Sequence, residues 1–163
     1  MIIGVISDTH GLIRPEALDA LKAAELIIHA GDVGRMSVLK ALETIAPVAA
    51  VKGNIDRGQL ADDLPEVRVV EAGSVRICVI HIVENLKLNP VAESFKLVVA
   101  GHSHIPSISE RNGVVYLNPG SAGPRRFNLP ASVALVEVSH TSVDVRIVRL
   151  EISMMTKSSL DLR

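Results

Sequence analysis

Five short apolar runs each end in residues able to coordinate a metal ion. "IIGVIS" (2–7) leads into Asp8-Thr9-His10, "LIIHA" (26–30) into Gly31-Asp32, and "PVAAV" (47–51) reaches Gly53-Asn54. "VRICVIH" ends on His81, and "KLVVA" (96–100) opens into Gly101-His102-Ser103-His104. A lone Asp-x-His is noise and Gly-Asp is a common turn. The recurrence at five run ends is what points to a metal site. The set uses four of the six histidines and mixes carboxylate, imidazole and carboxamide without thiolate. Such donors suit Mn, Fe, Ni or Zn better than Ca or a structural zinc. In extended chain, residues two apart point the same way, so Asp8 with His10, and His102 with His104, can each reach one site. The glycines before Asp32, Asn54 and His102 are expected to let the backbone turn sharply. His29, inside "LIIHAGD", reads as a buried neighbour of the site, and His140 as a solvated turn residue.

The elements that must carry these residues follow from periodicity. "IIGVIS", "LIIHA" and "PVAAV" are strands. Between them, 14–23 has helical spacing with Pro15 near its start, and 36–43 offers a short helix. This β-α-β-α-β order predicts a parallel sheet with right-handed crossovers. After a polar stretch at 53–66, strands dominate. "VRVVE" and "VRICVIH" form a hairpin around Ala72-Gly73-Ser74, followed by "KLVVA". A second hairpin turns at Asn112-Gly113 within "ERNGVVYL". "ASVALVEVS" and "SVDVRIVRLEI" pair around His140-Thr141. Two packed sheets with helices outside are expected. In such α/β sheets the carboxyl edge of the strands is where ligands bind, which is where the candidate ligands fall.

At 163 residues the chain reads as one domain over 1–163, with 151–163 a frayed tail or an oligomer contact. A homo-oligomer is left open by the aliphatic richness. With two Phe, one Tyr and no Trp, the core must be aliphatic, and the shortage of aromatics argues against a stacking platform for single strands. A net charge of −1 gives no footprint for long nucleic acid. The single cysteine, Cys78, allows no disulfide framework and reads as a buried apolar residue. Asp8 interrupts the first apolar stretch too early for a signal peptide, and no run is long enough to span a membrane. A soluble cytoplasmic protein is expected.

"SDTHG", "HAGD", "GN" and "GHSH", in this order, resemble the calcineurin-like metallophosphoesterase superfamily. "GNID", "NPGS" and the short chain are similar to its small YfcE-like phosphodiesterase branch. The resemblance runs from Asp8 to about Arg126. It implies an α/β fold, a four-layer α/β/β/α sandwich of two packed mixed sheets. It also implies two divalent metal ions per chain, Mn2+ first, with Ni2+, Zn2+ or Fe2+ as alternatives. Carried over by position, Asp8, His10 and His104 would hold one ion and Asn54, His81 and His102 the other, with Asp32 bridging. The implied activity is hydrolysis of a small phosphodiester by a hydroxide shared between the ions, with Asp32, Asn54 and His10 the residues on which catalysis turns.

Two departures from the family pattern bear on substrate. Where many members carry a histidine after the Gly-Asn asparagine, this chain has Ile55, so no general acid is evident. Where the family shows His-Gly-His, it reads His81-Ile82-Val83, which predicts a more apolar mouth. Phosphodiesters with good leaving groups are therefore expected as substrates, and alkyl monoesters as slow ones. Asp56 is a candidate substitute acid or substrate contact. In "NPGSAGPRRF", Arg125 and Arg126 are candidates to hold phosphate and Phe127 to stack on a base. The rival reading is a catalytically weak or inactive scaffold of the same fold, serving protein contact.

Overall fold

The computed structural model describes residues 1–152, so the expectation about the tail lies largely outside the described residues. The first half alternates β1 (Ile2–Ile6), α1 (Pro15–Leu21), β2 (Leu26–His29), α2 (Met36–Glu43) and β3 (Val48–Ala50). Its three strands pair in parallel, as the alternation predicts. Pro15 opens α1, where its missing N–H costs nothing. α2 buries Val38, Leu39 and Leu42, which lie on one face and meet Ala17 and Leu21 of α1 in an outer cluster.

The polar stretch hides a short helix that the sequence does not announce, α3 (Gln59–Asp63), anchored by buried Leu60. Strands then follow in quick succession: β4 (Val67–Ala72), β5 (Val75–Ile80), β6 (Phe95–Val99), β7 (Ser107–Arg111), β8 (Val114–Asn118), β9 (Ser132–Ser139) and β10 (Ser142–Arg149). The β7–β8 hairpin turns at Asn112 (φ 53°) and Gly113 (φ 78°), the two left-handed residues that a tight Asn-Gly turn requires.

Two mixed five-stranded sheets result, with orders β10-β9-β1-β2-β3 and β4-β5-β6-β8-β7. They pack face to face over an aliphatic core that includes Ile3, Val5 and Ile28 from one sheet and Ile77, Val79, Leu97 and Val99 from the other. Each such buried side chain stabilises by about 1.5–3 kcal/mol, so the core needs no aromatic ring. The helices cover the first sheet. The fourth layer of the α/β/β/α sandwich is thin here, a 3-10 turn (Val83–Asn85) and its loop, held by a small cluster of Cys78, Phe95, Val98 and Val114. Burial pushes the Cys78 thiol up to about 11. β1, β2 and β3 of one sheet, and β5 and β6 of the other, deliver their carboxyl ends to a shared edge.

Candidate metal centre

The strand ends meet through long-range backbone bonds. Asp8 N–H donates to Gly31 O (3.0 Å), His10 N–H to Asp32 O (2.9 Å), and Gly101 N–H to His81 O (2.9 Å). The polypeptide then does something that an extended-chain expectation does not foresee. Asp8, His10, Asp32, His102 and His104 all have left-handed backbone, with φ between 48° and 72°. Only four other non-glycine residues among the described ones do so. Aspartate and histidine enter this region more readily than most residues, and its concentration here marks a site. Of the three glycines, Gly31 (φ 96°) turns as expected, whereas Gly53 and Gly101 are not left-handed; they leave room. A Cβ on Gly101 would lie 2.0 Å from Ser7 Oγ and 2.6 Å from Asp8 Oδ2, and one on Gly53 would lie 2.0 Å from Asp32 Oδ1.

All seven candidate ligands converge. Asp8, Asp32, His81 and His104 form a buried floor, His10 is half-buried, and Asn54 and His102 are exposed at the mouth. The imidazoles sort into two pairs, His10 with His104 (centroids 5.4 Å apart) and His81 with His102 (5.3 Å). The two carboxylates lie between these pairs. Asp32 Oδ2 is 3.5 Å from His10 Nε2 and 3.3 Å from His81 Nε2. Asp8 Oδ1 is 3.2 Å from His104 Nε2 and 3.8 Å from His81 Nε2. Asp8 thus belongs to both tight groups, Asp8-His10-His104 and Asp8-Asp32-His81, where the sequence resemblance gave it to one ion only.

These residues fit a cation. Each carboxylate has one oxygen held by the protein and the other turned inward. Asp8 Oδ2 accepts the Ser7 hydroxyl (2.7 Å) and the His102 N–H (3.1 Å), while buried Oδ1 has no hydrogen-bond partner. Asp32 Oδ1 accepts the Ile55 N–H (3.1 Å), leaving Oδ2 free to face the histidines. His81 Nδ1 lies 2.7 Å from Ala30 O, which can only accept, so Nδ1 carries the proton. A neutral His81 then aims its Nε2 lone pair at Asn54 Oδ1 (3.0 Å) and Asp32 Oδ2. Lone pairs facing lone pairs repel unless a cation or a proton lies between them.

The titration behaviour says the same. Burial pulls His81 down, yet the Asp32 hydrogen bond, the Asp8 charge and Ala30 O together hold it above the ordinary histidine value. Burial would raise Asp32, but His81, the Ile55 N–H and the His10 charge hold it low. His104 is lowered, first by burial and then, against the pull of Asp8, by Arg126 and His10.

Beneath the floor sits His29, fully buried and pushed down to about 3 by burial and by the neighbouring His81 charge. Its Nδ1 accepts the Gly31 N–H (3.2 Å), so Nε2 carries the proton and donates to Thr9 Oγ1 (2.9 Å). Thr9 in turn donates to Val33 O (2.9 Å). This relay ties the Asp8 loop to the Asp32 loop.

The substrate candidates fare unequally. Asp56 is 3 % exposed and its carboxylate accepts three backbone N–H groups, from Val33 (3.2 Å), Gly34 (2.9 Å) and Gly53 (2.8 Å). It staples the Asp32 and Asn54 loops rather than reaching substrate, because no carboxylate oxygen is left over. Arg126 is exposed, and its charge is felt at His104. Arg125 bonds Leu129 O (3.4 Å), and Phe127 is 94 % exposed, with nothing packed on it. Sequence reasoning assigned no role to Ser7, Asn118 or Ser121. Asn118 Nδ2 holds Gly101 O (2.9 Å) and Ser103 Oγ (3.0 Å), and Ser121 Oγ holds Asp8 O (2.9 Å). The one available signal for the last two was the "NPGS" run.

The calcineurin-like phosphoesterase superfamily domain matches residues 1–141. The chain belongs to the calcineurin-like phosphoesterase superfamily. A probable metallophosphoesterase of Methanothermobacter thermautotrophicus is 38% identical over 161 residues, covering 91% of this chain and 92% of that protein. A predicted phosphoesterase of Streptococcus pneumoniae has the same fold, with a TM-score of 0.73 and 27% identity over 94% of this chain and 93% of that one. Vps29 of Entamoeba histolytica, solved with Zn2+, is similar too, with a TM-score of 0.72 and 25% identity over 91% of this chain and 99% of that one. As a calcineurin-like phosphoesterase the chain is a metal-dependent phosphoesterase, and the Asp/His groups above are where its ions would sit.

Proposed function

We propose that the protein is a phosphodiesterase working with two divalent ions, manganese first among them. One observation carries this reading: two imidazole pairs flank Asp8 and Asp32, each of which keeps one inward oxygen for the centre. His10 and His104 would hold one ion and His81, His102 and Asn54 the other, with Asp8 and Asp32 between. When bound, the ions would acidify a shared water and neutralise charge on the phosphoryl oxygens.

The chain's own residues do the rest. Exposed Asn54 can offer its amide N–H to a phosphoryl oxygen, and the Arg126 charge draws an anionic ester toward the mouth. Neither Ile55 nor Asp56 is placed to protonate a leaving group. Ile55 is apolar and Asp56 is fully engaged with backbone. Esters whose alcohol leaves without help are therefore favoured, and a diester with an aryl leaving group is the substrate type.

The test is hydrolysis of bis(4-nitrophenyl) phosphate by metal-stripped protein with Mn2+, Ni2+, Zn2+ or Mg2+ restored, beside an Asp32→Asn variant. Turnover that returns with metal and is lost in Asp32→Asn supports the reading. Faster turnover of an alkyl phosphomonoester than of the diester defeats the diesterase preference. The scaffold reading is favoured by exposed Ile55, Leu88 and Ile105 near the ligands, and inactivity with every ion would select it.

A further inference from the structure

The loop that departs from the family pattern does not merely crowd the mouth. After His81 the chain runs extended through Ile82, turns once at Val83–Asn85 and closes with Leu86 N–H on Val83 O (3.0 Å). Val83 and Leu86 reach the small cluster of Cys78, Phe95, Val98 and Val114 on the outer face of the second sheet, which fixes the loop from behind. In front of it lies a cavity of about 520 Å3, open to solvent. Two metal-ligand candidates, Asn54 and His81, form one wall, and Val67, Ile80, Ile82, Leu86 and Leu88 form much of the remainder.

That volume far exceeds what a phosphoryl group needs and falls in the range of small-molecule sites. Leu88 is 39% exposed, an apolar side chain facing the cavity with little to cover it. Lys52 and Lys87 also line it against a single acidic residue, Glu66. Lys52 Nζ spends one bond on Ala61 O (3.2 Å) and keeps two protons free. An anionic phosphate at Asn54 with an apolar arm in the cavity matches both the charge and the wall.

We propose that this cavity binds an apolar ester group, aryl or branched aliphatic, of the phosphodiester, and that Ile82, Leu86 and Leu88 set the preference. The proposal rests on the phosphodiesterase reading and specifies its substrate class. Lys52, Glu66, Asn85 and Lys87 also line the cavity, but the five apolar side chains favour an apolar arm, so a purely polar ester arm should be the weaker substrate.

The experiment compares bis(4-nitrophenyl) phosphate with methyl 4-nitrophenyl phosphate, which share a leaving group and differ in the arm that stays. Wild type, Leu88→Gln and the Ile82→Thr/Leu88→Gln double variant are assayed with Mn2+. The ratio of kcat/KM for the aryl over the methyl diester should fall about tenfold in the double variant, and by less in Leu88→Gln. An unchanged ratio in active variants overturns the cavity assignment. In parallel, 1-naphthyl phosphate is titrated by its fluorescence into the same proteins, and its Kd should rise about tenfold in the double variant. If neither diester is hydrolysed, the phosphodiesterase reading fails and this titration alone judges the cavity, with an unchanged Kd overturning it.

Discussion

The backbone N–H of His102 donates to Asp8 Oδ2 over 3.1 Å, joining the end of β6 in one sheet to the end of β1 in the other. With the Ser7 hydroxyl on the same oxygen, it decides which way the Asp8 carboxylate faces. Ser7→Ala should leave the fold intact and lower metal affinity about tenfold, the usual effect of losing a bond that orients a ligand. Metal titration of the stripped protein checks this. Gly101→Ala should do more harm, since its Cβ would meet Ser7 Oγ at 2.0 Å, and loss of metal binding together with a lower Tm is expected.

Asp56 offers a separation of roles. Asp56→Asn places an amide N–H group where three backbone donors already point, leaving at least one of them unsatisfied. A loss of about 2–4 kcal/mol of stability in urea melts is expected. A variant of wild-type stability but greatly reduced turnover would instead return Asp56 to the role of proton donor.

His29 gives the fold a dependence on acid. Its folded value near 3 lies below the ordinary 6.5, so the unfolded chain binds the proton more readily. The stability it contributes is complete above about 6.5 and is lost as pH falls toward 3, at about 1.4 kcal/mol per pH unit. His29→Asn keeps an acceptor for the Gly31 N–H and cannot titrate. Subtracting its melts from those of the wild type, both metal-stripped, should show this slope, and two parallel curves would remove His29 from the account.

His81 predicts proton release on metal binding. Its raised value means that the stripped site holds a proton near Nε2 above pH 6.5, where an ordinary histidine would have lost it. Metal must displace that proton, so apparent affinity should climb with pH through this window and level off above it. Calorimetry in buffers of different ionisation enthalpy counts the protons. His81→Gln should abolish the slope as well as weaken binding.

Much of the architecture was legible because hydrophobic period and position agree. α2 has the bounds its pattern predicts, the Asn112-Gly113 hairpin turns where expected, and the strand ends carry their ligands to a shared edge. The remainder is non-local. Nothing in "SDTH" says that Asp8 and His10 adopt left-handed backbone, because their N–H groups bond Gly31 O and Asp32 O on the distant loop after β2. Asp56 read as an acid or a substrate contact, since its three donors come from segments as much as 23 positions away. α3 is too short for a period to show. Arg125 and Phe127 share a loop with Arg126, and sequence alone could not tell which of the three would face the ligands.

The left-handed backbone at five candidate ligands sets the interests of catalysis and folding against each other. Each such residue carries roughly 1–2 kcal/mol that glycine would not. A lineage released from hydrolysis would gain by drifting toward glycine or asparagine at positions 8, 10, 32, 102 and 104. His102→Gly, at φ 72° the most extreme of them, should therefore yield a protein poorer in metal but harder to melt without it. Decay of the enzyme would look, to a calorimeter, like improvement.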